Sequence, residues 1–424
     1  MQVSIQPSKI GGTITAPASK SSMQRACAAA FLHSGTTIIK NPGKSNDDLA
    51  ALDIIQGMGA EVKNDNAQLI INSNQSNPRL NEINCGESGL SIRMFTALAA
   101  IDNKPILING TGSLLNRPMD FFDQVFPLLG IKIHSQNGKL PIQIEGPLVP
   151  TEITIDGSLS SQFLTGLLMA YAKTVTKPTI IHVTDLKSKP YIDLTLKVLA
   201  DFDFKVTHEE YKKFTIFPVN TTNRTIEYTV EGDWSGASFL LVAGALAGNS
   251  TVKGLDLSST QADKAIIEAL QKAGAKILIE QAQITVGTGN LKAFEFDATD
   301  CPDLFPPLVA LACYCTGNSL IKGVSRLSHK ESNRALSLQE SFGKLGIVIH
   351  IAGDNMVIEG NGIVKGNTAH SFHDHRIAMA LSIAALKADA PVVIEAAEAI
   401  NKSYPHFYED LKMMGATVSL PIKQ

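Results

Sequence analysis

The chain has 424 residues, of which 44% are hydrophobic and 18% charged, with a formal net charge of −3. It is too long for one ordinary core and too apolar for disorder, so two domains are expected. The slightly acidic balance excludes nucleic acid as the main partner, and apolar runs such as residues 239–247 fall well short of a membrane span.

The first strand-like stretch, residues 3–5, follows no signal-type leader, and the five cysteines are scattered without metal-site spacing. The sequence therefore reads as a cytosolic chain with reduced thiols. From there one pattern recurs: an apolar helix, a strand, a polar loop, a second helix and a small turn into another strand. In the first unit the helix starts at Ser21-Ser22, the strand is 36–40 and the turn is Met58-Gly59-Ala60. The second runs from Ser88-Gly89 through 105–109 to Leu129-Gly130-Ile131, and the third from Ser160-Ser161 through 179–183 to Phe202-Asp203-Phe204. The fourth runs from Trp234-Ser235 through 250–253 to Ala273-Gly274-Ala275. The fifth runs from Pro302-Asp303 through 319–322 to Leu345-Gly346-Ile347, and the sixth from Asp374-His375 through 391–395 to Met414-Gly415-Ala416. The turns recur about every 72 residues, which marks six repeats.

The first helix of each unit is apolar nearly all round, which requires burial. Six repeats divide into two α/β domains of three, with boundaries expected at 17–229 and at 1–16 plus 230–424. The leading segment is expected to pair with the last three repeats, and the two adjacent crossings between domains form a plausible hinge.

Chemistry gathers at the helix starts, where unpaired N–H groups and the helix dipole favour anions. Lys20 and Arg25 flank Ser21-Ser22, which reads either as a phosphate cradle or as an ordinary capped helix with an exposed arginine. Ser158, Ser160, Ser161 and Gln162 lead into a buried helix that needs one cap, so the surplus hydroxyls favour a ligand role. Basic residues follow the strands at equivalent positions: Arg117, Lys189, Lys330 with Arg334, and Lys402. His373 and His375 lack the further ligands a metal needs, and Arg376 between them and the helix reads as an anion clamp. Asp303 reads equally as an N-cap or as a base. There is no Walker loop, dinucleotide fingerprint or nucleophilic triad. The residues alone thus describe a transferase acting on small phosphorylated acids, with two domains closing on a polyanion.

At these positions the chain resembles the 5-enolpyruvylshikimate-3-phosphate synthases. The matching segments are Lys20-Ser21 with Arg25, Asn116-Arg117-Pro118-Met119, 157–169, 188–194, Pro302-Asp303, Lys330-Glu331 with Arg334, 374–379 and Lys402. The resemblance implies a two-domain inside-out α/β barrel with three repeats per domain. It implies that Lys20, Ser21, Arg25, Ser160, Ser161, Ser188, Asp303 and Lys330 hold shikimate 3-phosphate. Phosphoenolpyruvate would be held by Lys20, Gly89, Arg117, Gln162, Arg334, Arg376 and Lys402. Asp303 would take the proton of the attacking hydroxyl, and Glu331 and Lys20 would exchange protons at the methylene carbon. No cofactor and no metal are implied, and neither nucleic acid nor membrane is a partner; a cytoplasmic monomer is expected. One departure is Glu87-Ser88-Gly89-Leu90, where the family usually has Asn-Ala-Gly-Thr; Gly89 and Arg93 are kept. Another is Arg326, where many members have Asn, an extra cation for the substrate phosphate. The sister reaction on UDP-N-acetylglucosamine is the rival reading. It is disfavoured because that enzyme typically has Lys-Asn at the first helix start and a cysteine before its Arg-Pro, and this chain has neither.

Overall fold

The computed structural model describes residues 1–65, 67–73, 80–219, 223–281, 283–360 and 362–420. The chain divides into two compact units, Ala18–Glu231 and a composite of Met1–Pro17 with Gly232–Gln424. Among the described residues there are twelve α-helices: α1 (Lys20–Leu32), α2 (Asn46–Gly57), α3 (Gly89–Ala99), α4 (Asp120–Val125), α5 (Ser161–Thr174), α6 (Lys189–Asp201), α7 (Trp234–Ala247), α8 (Ile266–Ala273), α9 (Phe305–Ala312), α10 (Arg334–Lys344), α11 (His375–Ala385) and α12 (Phe407–Met413).

The six recurring turns share one backbone state. Gly59, Gly130, Asp203, Gly274, Gly346 and Gly415 all have positive φ, between 65° and 111°. Each follows the outer helical segment of its repeat and turns the chain into the next strand, which is the usual use of a left-handed residue at a helix end. Five of the six are glycine because a Cβ is disfavoured there; Asp203 is the exception and tolerates the conformation through its short polar side chain.

The first helices of the repeats behave as their composition demands. α1, α3 and α5 pack on one another, as do α7, α9 and α11, and they are buried over most of their length. The outer helices are one-sided. α8 buries Ile266, Ala269, Leu270 and Ala273, the i, i+3, i+4, i+7 stripe of a helix lying on a core.

Each repeat contributes one four-stranded sheet, three sheets to a unit. In four repeats a short strand, the buried helix and the next strand form a parallel β-α-β unit. One example is Glu82–Asn84, α3 and Pro105–Asn109; another is Thr368–His370, α11 and Val392–Glu395. An antiparallel hairpin completes five of the six sheets, and in the last the antiparallel pair is Gln2–Ile5 with Val418–Ser419.

In the first and fourth repeats the parallel partners are exchanged. Thr13–Thr15 leads into α1 yet pairs with Asn249–Lys253, the strand after α7. Ile226–Thr229 leads toward α7 yet pairs with Thr36–Lys40, the strand after α1. Gln2–Ile5 joins the last sheet between Val392–Glu395 and Val418–Ser419. Each exchanged strand thus lies in a different unit from the helix it leads into. All five cysteines are buried free thiols, and no helix among the described residues is long and apolar enough to cross a membrane.

Candidate active site

Within each unit the starts of the three buried helices are tied together by side chains. In the Ala18–Glu231 unit, Gln24 of α1 accepts from Ser88 and Ser91 at the start of α3, at 3.1 and 3.0 Å. Arg93 of α3 donates to Gln162 in the first turn of α5 at 2.8 Å and lies 5.1 Å over the Phe163 ring.

The start of α1 lies slightly earlier than the sequence reading put it. Ser19 is the N-cap and accepts from the Ser22 amide, so Lys20 is the first helical residue and Ser21-Ser22 lies inside the helix. Lys20 Nζ donates to Asp47 Oδ2 at 2.9 Å. Asp48, next to it, is spent on a capping box with Ser45. Arg25, expected either in a cradle or on the surface, is only 1% exposed. Its guanidinium donates to Thr195 Oγ1 at 2.9 Å, the Ser21 carbonyl at 2.8 Å and the Tyr191 carbonyl at 3.3 Å. Among the described residues no carboxylate pairs with it. Burial pushes its pKa down to about 10, partly opposed by Tyr191 and Tyr228, an electrostatic cost of about 3 kcal/mol in order of magnitude. An anion brought to Arg25 would offset that cost.

Around α3 and α5 the crowding is steric. A Cβ on Gly89 would meet the Arg117 guanidinium and push that buried arginine away from the helix start. The departure at Glu87 has a role here: its carboxylate accepts from the Ser113 amide at 3.0 Å, fixing the loop that ends at Arg117, while Leu90 is buried. Ser160 is the N-cap of α5 and accepts from the Gln162 amide at 3.3 Å, and Ser161 is buried. Ser188 stands at the start of α6 with φ 54° and makes no side-chain cap. A serine held in that conformation costs of order 1–3 kcal/mol, and such strain gathers at ligand sites. Lys189 is the basic loop residue that does not fit: it is exposed and lies 5.6 Å over the Tyr211 ring.

In the composite unit the centre is Asp303. It lies in the 3-10 turn Pro302–Leu304, whose cap position is Cys301, and its side chain caps no helix; the N-cap reading is therefore wrong. Instead Asp303 accepts from Arg334 at 2.7 Å, from Lys330 at 3.1 Å, and is 3.1 Å from Arg376 Nη2. Burial alone would raise its pKa, but Arg376, Lys330 and Arg334 hold it well below the usual carboxylate range. Arg334 is fully buried and also donates to Asp374 at 2.9 and 3.2 Å and to Glu331. Burial disfavours its charge, but Asp374, Glu331 and Asp303 more than offset this and raise its pKa. Burial lowers the pKa of Lys330, partly opposed by Asp303. Arg376 sits in the first turn of α11, where Asp374 is the N-cap, and also donates to Ser235 Oγ at 3.0 Å. Lys402 is buried at the end of a 3-10 turn and donates to the His373 carbonyl at 2.8 Å. Among the described residues no group of three metal-type ligands exists.

The predicted residues thus fall into two sets, one per unit. Lys20, Ser21, Arg25, Gly89, Arg117, Ser160, Ser161, Gln162 and Ser188 belong to the first, and Asp303, Lys330, Glu331, Arg334, Arg376 and Lys402 to the second. Sequence reasoning missed their partners Asp47, Thr195, Asp374 as a counter-ion, and Ser235 with Asp263. Asp47 was concealed by the capping-box pattern beside it; Thr195 carries no signal of its own.

Buried cations gathered around helix starts, with the carboxylate of Asp303 among them in the composite unit, suit small anionic substrates. Residues 5–411 match the family described as EPSP synthase (3-phosphoshikimate 1-carboxyvinyltransferase), and the chain belongs to that family. It is 34% identical to the 3-phosphoshikimate 1-carboxyvinyltransferase of Clostridium novyi and 35% identical to that of Clostridium kluyveri, with 98% of each chain covered in both cases. Its fold is similar to that of EPSP synthase from Acinetobacter baumannii, at a TM-score of 0.84 and 25% identity over 99% of this chain and 100% of that one. The enolpyruvyl transferase NikO from Streptomyces tendae shares the fold at a TM-score of 0.79 and 17% identity, over 99% of this chain and 98% of that one.

Proposed function

We propose that the chain transfers the enolpyruvyl group of phosphoenolpyruvate to the 5-hydroxyl of shikimate 3-phosphate, with release of phosphate, as a step of aromatic biosynthesis. The observation that supports this most is the treatment of the buried cations. Among the described residues Arg25 has only neutral partners, whereas Arg334 and Arg376 press on a carboxylate at a helix start. The first suits a phosphate, and the second suits a base whose strength depends on what else the arginines hold.

In this reading Lys20, Ser21, Arg25, Ser160, Ser161, Ser188, Asp303 and Lys330 hold shikimate 3-phosphate. Lys20, Gly89, Arg117, Gln162, Arg334, Arg376 and Lys402 hold phosphoenolpyruvate. The hydroxyl oxygen adds to the enol carbon while its proton passes to Asp303, and a proton is added to the methylene carbon from Lys20 or Glu331. The tetrahedral ketal phosphate then loses that proton and expels phosphate. Asp303 is a weak base while three cations sit on it. Substrate anions that engage Arg376, Arg334 and Lys330 weaken that pull and raise its basicity. The guanidinium forks suit carboxylate and phosphate because both offer paired oxygens.

The reading includes a cytoplasmic location and a monomeric state, and light scattering on purified protein tests the second. The test of activity is phosphate release: release that requires both substrates supports the reading. Release with either one alone, or none with both, overturns it.

A further inference from the structure

Ser235 and Asp263 lie outside every residue set assigned above, yet they reach Arg376. Ser235 is in the first turn of α7, 7% exposed, with its amide donating to the N-cap Asp233 at 3.2 Å. Its hydroxyl donates to Asp263, which is 1% exposed on the 3-10 turn Ala262–Ala265 before α8. That turn is fixed against the start of α7 by Gln261. Its side chain accepts from the Trp234 amide at 3.0 Å and donates to the Gly232 carbonyl at 2.8 Å.

A serine hydroxyl has one proton and two lone pairs, and an ionised carboxylate only accepts. With its proton committed to Asp263, Ser235 Oγ presents lone pairs to Arg376 Nη2, 3.0 Å away. The contrast with Arg334 is instructive. Arg334 is held directly by Asp374, Asp303 and Glu331, whereas Arg376 meets Asp303 directly and also a neutral hydroxyl, that of Ser235, which is itself bonded to Asp263. The hydroxyl, fixed by Asp263, gives the guanidinium a directional neutral acceptor beside its carboxylate partner Asp303.

We propose that Asp263 and Ser235 form a positioning relay that orients Arg376 for the carboxylate or phosphate of phosphoenolpyruvate. This rests on the reading of Arg376 as a phosphoenolpyruvate ligand. The relay acts on one substrate, which separates it from a general packing role.

The experiment is steady-state kinetics of phosphate release by purified full-length protein, with each substrate varied in turn. Ser235→Ala is expected to raise KM for phosphoenolpyruvate about tenfold, the scale of one hydrogen bond to a charged group, with KM for shikimate 3-phosphate changed less than about twofold. Ser235→Thr keeps the hydroxyl and is expected to restore KM to within about twofold. Asp263→Asn is expected to give a rise similar to Ser235→Ala, and the double variant no more than the larger single effect. Additive effects, equal effects on both substrates, or failure of Ser235→Thr to rescue would overturn the relay. Arg376→Gln is run beside them. If it raises KM for phosphoenolpyruvate while Ser235→Ala does not, the relay alone fails. If Arg376→Gln leaves that KM unchanged, the assignment of Arg376 fails and the relay with it. Should Ser235→Ala not fold, Ser235→Cys, a similar shape with a weak acceptor, is expected to show the same selective rise, and an unchanged KM in that variant overturns the proposal.

Discussion

Replacing Asp303 by asparagine keeps the shape of the side chain and removes its charge, which makes Asp303→Asn the sharpest probe of the site. The parent carboxylate meets Lys330, Arg334 and Arg376. Breaking a buried ion pair typically costs 3–5 kcal/mol. The lower end, about 3 kcal/mol, applies here because Asp303 is 20% exposed at the side chain and Arg334 keeps Asp374 and Glu331. For a unit of about 200 residues that is a fall in melting temperature of roughly 6–12 °C. Turnover is expected to fall by about 10²–10⁴-fold if the proton of the attacking hydroxyl has no other acceptor. Phosphate release should be measured well below the variant's own melting transition, so that unfolding does not imitate lost catalysis. A folded variant within about threefold of the parent in kcat would remove Asp303 as the base. An unchanged melting temperature would refute the energetic argument for the ion cluster. The acid limb gives an independent check. The folded pKa of Asp303 lies below its unfolded value, so its contribution to stability is present above about pH 4 and is lost as pH falls through the folded pKa. Asp303→Asn should therefore lose less stability than the parent on acidification.

Other substitutions follow from the same structure. Lys20→Ala should lower turnover at least about a hundredfold, and kinetics within a few-fold of the parent would take Lys20 out of the chemistry. Gly89→Ala drives a methyl into the Arg117 guanidinium and should raise KM for phosphoenolpyruvate more than KM for shikimate 3-phosphate; equal changes would contradict the packing argument. Asp48 is buried and its pKa is pushed up to about 6 by burial, against the hydrogen bonds from Ser45. For a carboxyl whose folded pKa is raised, stability is highest in the protonated range and declines as pH rises from about 4 through about 6, by about 3 kcal/mol in all. Denaturant unfolding of Asp48→Asn across that range should show the decline flattened, and a slope equal to the parent's would show that Asp48 titrates normally.

The repeat was legible because its marker is a backbone constraint. A residue that must adopt positive φ after each outer helix is restricted to glycine or a short polar side chain, and that restriction surfaces in the sequence at 59, 130, 203, 274, 346 and 415. The buried helices were legible for a similar reason, since a helix such as α7 with no polar face can only be inside. Helix starts were less exact. Ser19 and Asp233, not Ser21 and Trp234, are the caps, because several adjacent residues could each serve and only the fold selects one. Asp303 shows the deeper limit. Pro302-Asp303 looks like a cap locally, but the carboxylate is claimed by Arg334 and Lys330, about thirty residues away, and by Arg376, more than seventy away. No local pattern encodes such a pairing. Lys189 is the converse case, a basic residue at the expected loop position whose partner is a half-buried tyrosine ring.

The exchange of strands between the first and fourth repeats has a consequence for synthesis on the ribosome. The Ala18–Glu231 unit draws all three of its sheets from chain made before residue 232, so it can complete its core while the rest is still being translated. The composite unit cannot. Its strand Gln2–Ile5 must wait for Val392–Glu395 and Val418–Ser419, and Thr13–Thr15 must wait for Asn249–Lys253. Closing a flexible loop of nearly four hundred residues costs about 5 kcal/mol in length-dependent entropy. A folded insert shortens that loop by replacing over two hundred residues with a rigid body whose two ends, Ser19 and Glu231, are already hydrogen-bonded. Vectorial folding therefore turns the least local pairing into a shorter search, and leaves Gln2–Ile5 waiting unpaired until the last sheet arrives.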